Sequence, residues 1–301
     1  MTDSVGAVDP ARPDNADGAA APVGPAVHVR ARVPDRAVDL DLTWPLGTTL
    51  ALIGPNGAGK TTTIDVLAGT LTGHGSTVTL GDRDLTDLPA HRRRLGCLEQ
   101  RALLFPHMSV LANVEFGMRA HGVRRPRARA REELEAVGCG HLAGRRPHQV
   151  SGGQAQRIAL ARALATDPDL VLLDEPLSAL DAALAPAMRR LLRARLAGTT
   201  ALLVTHDVLD VLALADRVAV IEGGRLVAEG PTDAVLASAQ TPFVEDFVGT
   251  DRADDAEDSV TLSRSRFEEL LRAAGERGEG QQGSASSRGS GERGAGEGGT
   301  G

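Results

Sequence analysis

The sequence predicts an α/β protein: a mainly parallel sheet core, an antiparallel β subdomain ahead of it, and an inserted α-helical subdomain. Three observations carry this reading. Short continuous apolar runs at Thr48–Ile53, Leu170–Leu173 and Thr200–Val204 have the character of strands buried on both faces. Helical patterns alternate with these runs, as parallel crossovers require. Between about residues 101 and 166 strand candidates are scarce, so that stretch forms a helical subdomain beside the sheet.

The elements follow in order. Val38–Trp44 alternates apolar and polar residues with period two, the pattern of a half-buried antiparallel strand. A helix runs from about Gly59 to Ala68, and short strands follow at Val78–Leu80 and Leu95–Leu98. Ser109–Ala120 and Arg127–Val137 have helical periodicity, as do the stretches after Ser151, near Asp181–Leu196 and after Asp207. Strands at Arg217–Ile221 and Leu226–Ala228 flank a Gly223-Gly224 turn. Residues 1–25, rich in Ala, Pro, Asp and Gly, are expected to form a disordered arm ahead of one folded domain over 26–248. Residues 249–301 are expected to form a polar, low-complexity tail with one amphipathic helix candidate at Ser259–Ala274.

Composition narrows the function classes. The chain is 42% hydrophobic, enough for a sizeable core, and its net charge of -7 gives no global field for nucleic acid. Cys97 and Cys139 form no framework of spacings and suit a reducing compartment. No apolar run approaches the roughly 20 residues that span a bilayer. The opening MTDSVGAVDP has neither the basic nor the apolar region of a secretion signal, so a cytoplasmic location is expected. One lysine, Lys60, stands against 32 arginines. The chain uses Arg for cationic surface, so the exception needs a chemical reason.

That reason is the segment Gly54-Pro55-Asn56-Gly57-Ala58-Gly59-Lys60-Thr61, followed by Thr62, which fits the phosphate-loop pattern G-x-x-x-x-G-K-[ST]. It follows an apolar strand and opens a helix, where successive backbone N–H groups can face phosphate oxygens. A compact ammonium reaches the β- and γ-phosphates where a planar guanidinium fits less well. The Thr61 hydroxyl suits Mg²⁺. The strand Leu170–Leu173 ends in Asp174 and Glu175. The first acid suits Mg²⁺ through water, and the second suits a general base for the water that attacks the γ-phosphate. His206 ends the run Thr200–Val204 at the same sheet edge, where ligands bind, and is assigned to the γ-phosphate and attacking water. Gln100 follows Leu95–Leu98 and can bring its amide oxygen to Mg²⁺ or to that water. A second anion-binding helix start, Ser151-Gly152-Gly153-Gln154, lies in the helical stretch. One phosphate loop covers a nucleotide on one side only, so this second start is read as closing the site of a partner copy, head to tail.

Together these motifs resemble the ATP-binding subunits of ABC transporters. Gly54–Thr61 is similar to Walker A, Leu170–Glu175 to Walker B with its catalytic glutamate, and Ser151–Gln154 to the family signature with Val150 in place of leucine. Gln100 is similar to the Q-loop, Ser178–Asp181 to the D-loop and His206 to the switch histidine. The resemblance covers about residues 26–248. It implies a RecA-like P-loop NTPase core, ATP and Mg²⁺ as ligands, and a head-to-tail homodimer. It also implies membrane permease partners, an extracytoplasmic solute-binding protein acting indirectly, and a peripheral place on the inner face of the membrane. Members stack adenine on an aromatic ahead of Walker A. Here Trp44 is read as core, which leaves Val33 or an arginine such as Arg32 for the base. Gln100–Val110 and Asn113–Met118 resemble importers of the molybdate, sulfate, iron and polyamine group, at the region that receives the permease's coupling helix. Pro89–Arg94 through Leu104–His107 looks most like molybdate importers. Molybdate ATPases often carry a C-terminal oxyanion-binding β domain, which the low-complexity residues after Thr250 are not expected to form.

Overall fold

The computed structural model describes residues 24–73, 75–238 and 241–249. The expected N-terminal arm through residue 23, the tail from residue 250 and the helix candidate at 259–274 lie outside the described residues. In chain order the elements are β1 (Ala26–Val33), β2 (Val38–Pro45), β3 (Thr49–Ile53), α1 (Lys60–Ala68), β4 (Thr77–Leu80), β5 (Arg83–Asp84) and β6 (Leu95–Leu98). Then come α2 (Val110–Ala120), α3 (Pro126–Ala136), α4 (Gly152–Leu164), β7 (Leu170–Asp174), α5 (Ala185–Leu196) and β8 (Ala201–Val204). The described chain closes with α6 (Val208–Leu214), β9 (Arg217–Glu222), β10 (Arg225–Pro231), α7 (Thr232–Ser238) and α8 (Pro242–Gly249).

Two sheets form. The antiparallel one has the order β2-β1-β4-β5, and the six-stranded one has the order β10-β9-β3-β8-β7-β6. In the larger sheet β9, β3, β8, β7 and β6 run parallel, and only β10 is antiparallel to its neighbour. The continuous apolar runs are explained by burial on both faces. Leu50, Leu52, Leu172, Leu202 and Val204 face a core shared with α1 and the antiparallel sheet. Ala51, Ile53, Val171, Leu173 and Leu203 face a second core under the helices. Trp44 is fully buried in the first core, as expected of the alternating strand.

The helical subdomain, α2 to α4, is inserted between β6 and β7. The Ser109 hydroxyl accepts from the Ala112 N–H and caps α2. The helix expected near Asp181 starts later, at Ala185, because residues 181–184 turn first and Pro186 suits a first helical turn. The strand β1 was not singled out from sequence, although Val27, Val29, Ala31 and Val33 alternate with polar residues and are buried. The helices α7 and α8 were not singled out either.

One buried cation joins the subdomains. Arg93 is 2% exposed and donates to the carbonyls of Val66 and Leu67 at 2.8 Å each, to Leu88 at 2.8 Å and to Thr86 at 3.1 Å. Two of these carbonyls end α1, so the guanidinium sits at the negative end of that helix dipole and supplements the Gly69 N–H that also reaches Val66. Gly69 leaves room for it: φ is +74°, and a Cβ there would come 2.6 Å from Arg93 Nε. Replacing Arg93 with Met removes a donor from four carbonyls, of which Val66 keeps the Gly69 N–H at 3.2 Å. We expect a loss of about 3 kcal/mol. That corresponds to a fall of roughly 6–12 °C in the melting temperature of the nucleotide-free protein. An unchanged melting curve would refute this role.

Candidate functional site

The polarity of the larger sheet places the site. β3, β8, β7 and β6 are adjacent and parallel, and Leu52, Val204 and Asp174 stand level across three of them. Their C-terminal ends therefore release the phosphate loop, His206, Asp174-Glu175 and Gln100 at one edge. Asn56, Gly57, Gly59, Lys60, Thr61, Thr62, Gln100, Asp174 and Glu175 line a single cleft of about 300 Å³.

Two glycines make the loop possible. A Cβ on Gly54 would come 2.0 Å from the Ile221 carbonyl oxygen, and one on Gly59 would come 2.7 Å from Val38. Both residues also have positive φ, +154° and +105°. Lys60 Nζ donates to the Gly54 carbonyl at 2.6 Å and the Pro55 carbonyl at 2.9 Å, which folds the ammonium back inside the loop. Ala58 is buried under the loop as a core residue rather than a cleft wall. Thr61 Oγ1 stands 3.5 Å from Asp174 Oδ2. Thr61 and Asp174 offer oxygen here and Gln100 carries an amide oxygen, the donor type Mg²⁺ prefers.

Glu175 is the strained member. Its φ is +50°, a left-handed conformation that a residue with a Cβ rarely adopts. Its carbonyl is held by the Ser178 hydroxyl at 3.0 Å and its N–H donates to the Val204 carbonyl at 2.9 Å. Its carboxylate meets the imidazole of His206, with Nδ1 2.8 Å from Oε2. The His206 side chain is 75% exposed and the Glu175 side chain 11%. The pair thus lies half in the cleft and half open to whatever covers it.

The second helix start stands apart from this cleft. Ser151 caps α4 by accepting from the Gln154 N–H at 3.3 Å, and Gln154 Oε1 accepts from the Ser151 N–H at 2.9 Å. A Cβ on Gly152 would meet open space, whereas one on Gly153 would come 2.9 Å from the Ala179 carbonyl. The helix start therefore abuts the Ser178–Asp181 turn, whose exposed Asp181 accepts from the Leu184 and Ala185 N–H groups. Ser151, Gly152, Gly153, Gln154 and Asp181 do not line the cleft of their own chain.

Some partners were not legible in the sequence. Arg36 lines the cleft and donates to Asp65 at 2.9 Å and Thr62 at 3.4 Å, an arginine in a turn with no motif to mark it. Of the two residues expected against adenine, Val33 is buried and Arg32 pairs with Asp39 at 3.2 Å.

Burial sets the electrostatics. Desolvation first, and Glu175 second, push the Asp174 carboxyl up to about 6. Lys60 is lowered from its ordinary value by desolvation, against the pull of Glu175 and Asp174. Because Asp174 binds its proton more tightly folded than unfolded, stability falls as pH rises from about 4 through 6. Above that window the full cost of the buried charge is present. Asp174→Asn removes it, so at pH 7.5 the nucleotide-free variant should be more stable than the parent by about 1–3 kcal/mol. The gap should close as pH falls toward 4. Melting temperatures across that range test this, and a variant less stable at pH 7.5 would refute it.

Comparison with known proteins places the fold. Residues 37–178 match the family model for ABC transporter. The chain is 47% identical over 231 residues to the molybdenum import ATP-binding protein ModC of Mycobacterium tuberculosis, covering 72% of this chain and 63% of that protein. It is 44% identical over 216 residues to the Fe(3+) ions import ATP-binding protein FbpC 1 of Rhizobium meliloti, covering 70% and 61%. It is 44% identical over 218 residues to the putative 2-aminoethylphosphonate import ATP-binding protein PhnT of Salmonella choleraesuis, covering 70% and 58%. The chain thus spans less than two thirds of the length of these curated relatives. Among solved structures, the ATP-binding cassette MJ0796, dimeric in a post-hydrolysis state bound to ADP and Pi, superposes with a TM-score of 0.62 at 25% identity. That match covers 68% of this chain and 98% of the other. With its phosphate loop and capped glycine helix start, and at 47% identity over 72% of its length to an import ATP-binding protein, this chain belongs to the ABC transporter family of ATP-binding cassettes.

Proposed function

We propose that the chain is the ATP-hydrolysing subunit of an ABC importer, carrying molybdate or a related oxyanion. The observation that carries the enzymatic part is the Glu175–His206 pair at 2.8 Å on the rim of the phosphate-loop cleft. Gly54–Thr62 hold the β- and γ-phosphates, with Lys60 exchanging its two carbonyl partners for phosphate oxygens. Thr61 and Asp174, with Gln100, hold Mg²⁺, which neutralises charge on the phosphates. Glu175 takes the proton of the attacking water, and His206 fixes the orientation of that carboxylate. The exposed rim is closed by a second subunit, head to tail, whose Ser151–Gln154 helix start and Asp181 turn face the γ-phosphate. No helix among the described residues is long and apolar enough to cross a membrane. On the likeness to import ATP-binding proteins, the work is delivered to permease subunits, with the chain peripheral on the inner face of the membrane and the solute-binding protein acting through the permease.

The exposed Leu103 and Phe116 support the permease contact, since Phe116 packs against Phe105 at 4.8 Å between ring centroids beside Gln100 in sequence. The solute reading rests on the molybdenum import relative at 47% identity. Iron and 2-aminoethylphosphonate import relatives at 44% make ferric iron and a phosphonate the alternatives. In a reconstituted importer, ATPase stimulation by a molybdate-loaded binding protein and none by iron- or phosphonate-loaded ones is the expected pattern. The reverse pattern reassigns the solute.

Two mutational outcomes test the enzymatic reading. Lys60→Arg should abolish tight ATP binding although charge is kept, because the wider fork displaces the γ-phosphate; near-parental affinity in a fluorescence titration would defeat the assignment. Glu175→Gln should bind ATP without turnover and run as a dimer on size exclusion with ATP and Mg²⁺, and as a monomer without nucleotide. Adding Ser151→Arg should dissolve that dimer while each monomer still binds ATP. A dimer that survives Ser151→Arg would show that the helix start does not cap the facing site.

A further inference from the structure

The His206 side chain pairs with Glu175 and its ring is largely exposed, so packing does not hold it in place. The backbone on either side of it is held instead. Asp207 caps α6: its Oδ1 accepts from the Leu209 N–H at 2.7 Å, and its own N–H donates to Thr205 Oγ1 at 3.2 Å. Thr205 Oγ1 donates in turn to Asp210 Oδ2 at 3.2 Å. Arg189, from α5, closes the ring. Its Nε donates to Asp210 Oδ1 at 2.5 Å and its Nη2 to Asp207 Oδ2. Arg189 is 8% exposed, and Asp210 and Thr205 are 2% exposed each. Of the two residues that bracket His206, Asp207 is thus bound to the buried guanidinium directly and Thr205 through Asp210.

We propose that Arg189 is the positioning residue for His206: its two-pronged grip on Asp207 and Asp210 fixes the backbone from which the imidazole reaches Glu175. Without the guanidinium, the buried Asp210 carboxylate and the half-buried Asp207 carboxylate repel each other, and the Asp207 cap moves. The fork matters because both acids must be bound at once, and a lysine ammonium lacks that planar geometry. Burial first, and Asp207 second, push the Asp210 carboxyl up to about 6, against the pull of Arg189 and the Thr205 hydroxyl. Since α5 begins directly after the Asp181 turn, the same arginine also ties that turn's helix to the histidine.

The proposal rests on His206 acting in hydrolysis, and the test separates the two. In the full chain with its permease, Arg189→Lys should lower kcat by about tenfold, with the KM for ATP within about twofold, because misplacement costs chemistry rather than binding. In a His206→Ala background the same change should alter the single-turnover rate by less than about twofold, since the residue it positions is gone. Equal losses in both backgrounds, or no loss in the parent, would overturn the proposal. A second arm needs no ATPase activity. The His206 ring resonances, assigned by comparison with His206→Gln, should shift or broaden in Arg189→Lys while the other histidines stay in place. An unmoved His206 signal overturns the proposal, and a moved signal in a chain without ATPase activity would instead defeat the hydrolysis reading. Arg189→Met with Asp210→Asn, which removes opposite charges together, should keep the melting temperature close to that of Arg189→Lys and disturb the same His206 signal. A disturbed signal only in an unfolded protein would also overturn it.

Discussion

Parallel strands buried on both faces impose the constraint on which the rest of the molecule depends. β3, β8, β7 and β6 lie side by side, run in one direction and end nearly level. Everything that follows one of these strands leaves at the same edge. A phosphate loop, a histidine, a pair of acids and a glutamine, scattered between residues 54 and 206, therefore meet without any loop having to travel far. The cost is that strand interiors have to be apolar on both sides, which is why the chain devotes two separate cores to one sheet.

Charge is then concentrated where the sheet leaves it exposed to little water. Asp174 is 6% exposed and reluctant to ionise, Glu175 is held in a left-handed conformation, and Lys60 is folded against its own loop's carbonyls. Each is unfavourable for an empty protein and useful to one that binds a polyphosphate with a cation. Buried guanidiniums recur at Arg93, against neutral carbonyls, and at Arg189, against two acids. One satisfies the end of the phosphate-loop helix, and the other joins the helix after the Asp181 turn to the start of α6. In both places an arginine does what lysine does not, because several acceptors fixed in different directions need a fork of donors.

The helical insertion between β6 and β7 adds a second polar helix start without adding to the first site. Its Ser151 and Gln154 satisfy each other, so the turn is formed in advance, while Gly152 faces open space. A preformed N-terminus set apart from its own chain's phosphate cleft is the structural side of the argument for a composite site between two copies.

By itself the sequence determined the local structure and the chemistry. The apolar runs are strands because burial on both faces leaves no polar position, and the phosphate loop is readable because only glycine tolerates its backbone. Asp174, Glu175, His206 and Gln100 were legible because each follows such a run. The strands' common direction then made their meeting a matter of topology. Tertiary structure alone decided the rest. Strand order, with β8 between β3 and β7, is set by which apolar faces pack best, and no local pattern encodes it. Arg36, Arg93 and Arg189 look like any of the chain's other arginines until the fold brings them to a threonine, to helix-end carbonyls or to a pair of acids. A charged side chain's role depends on the distant groups that desolvate and bind it, and those are adjacent only in three dimensions.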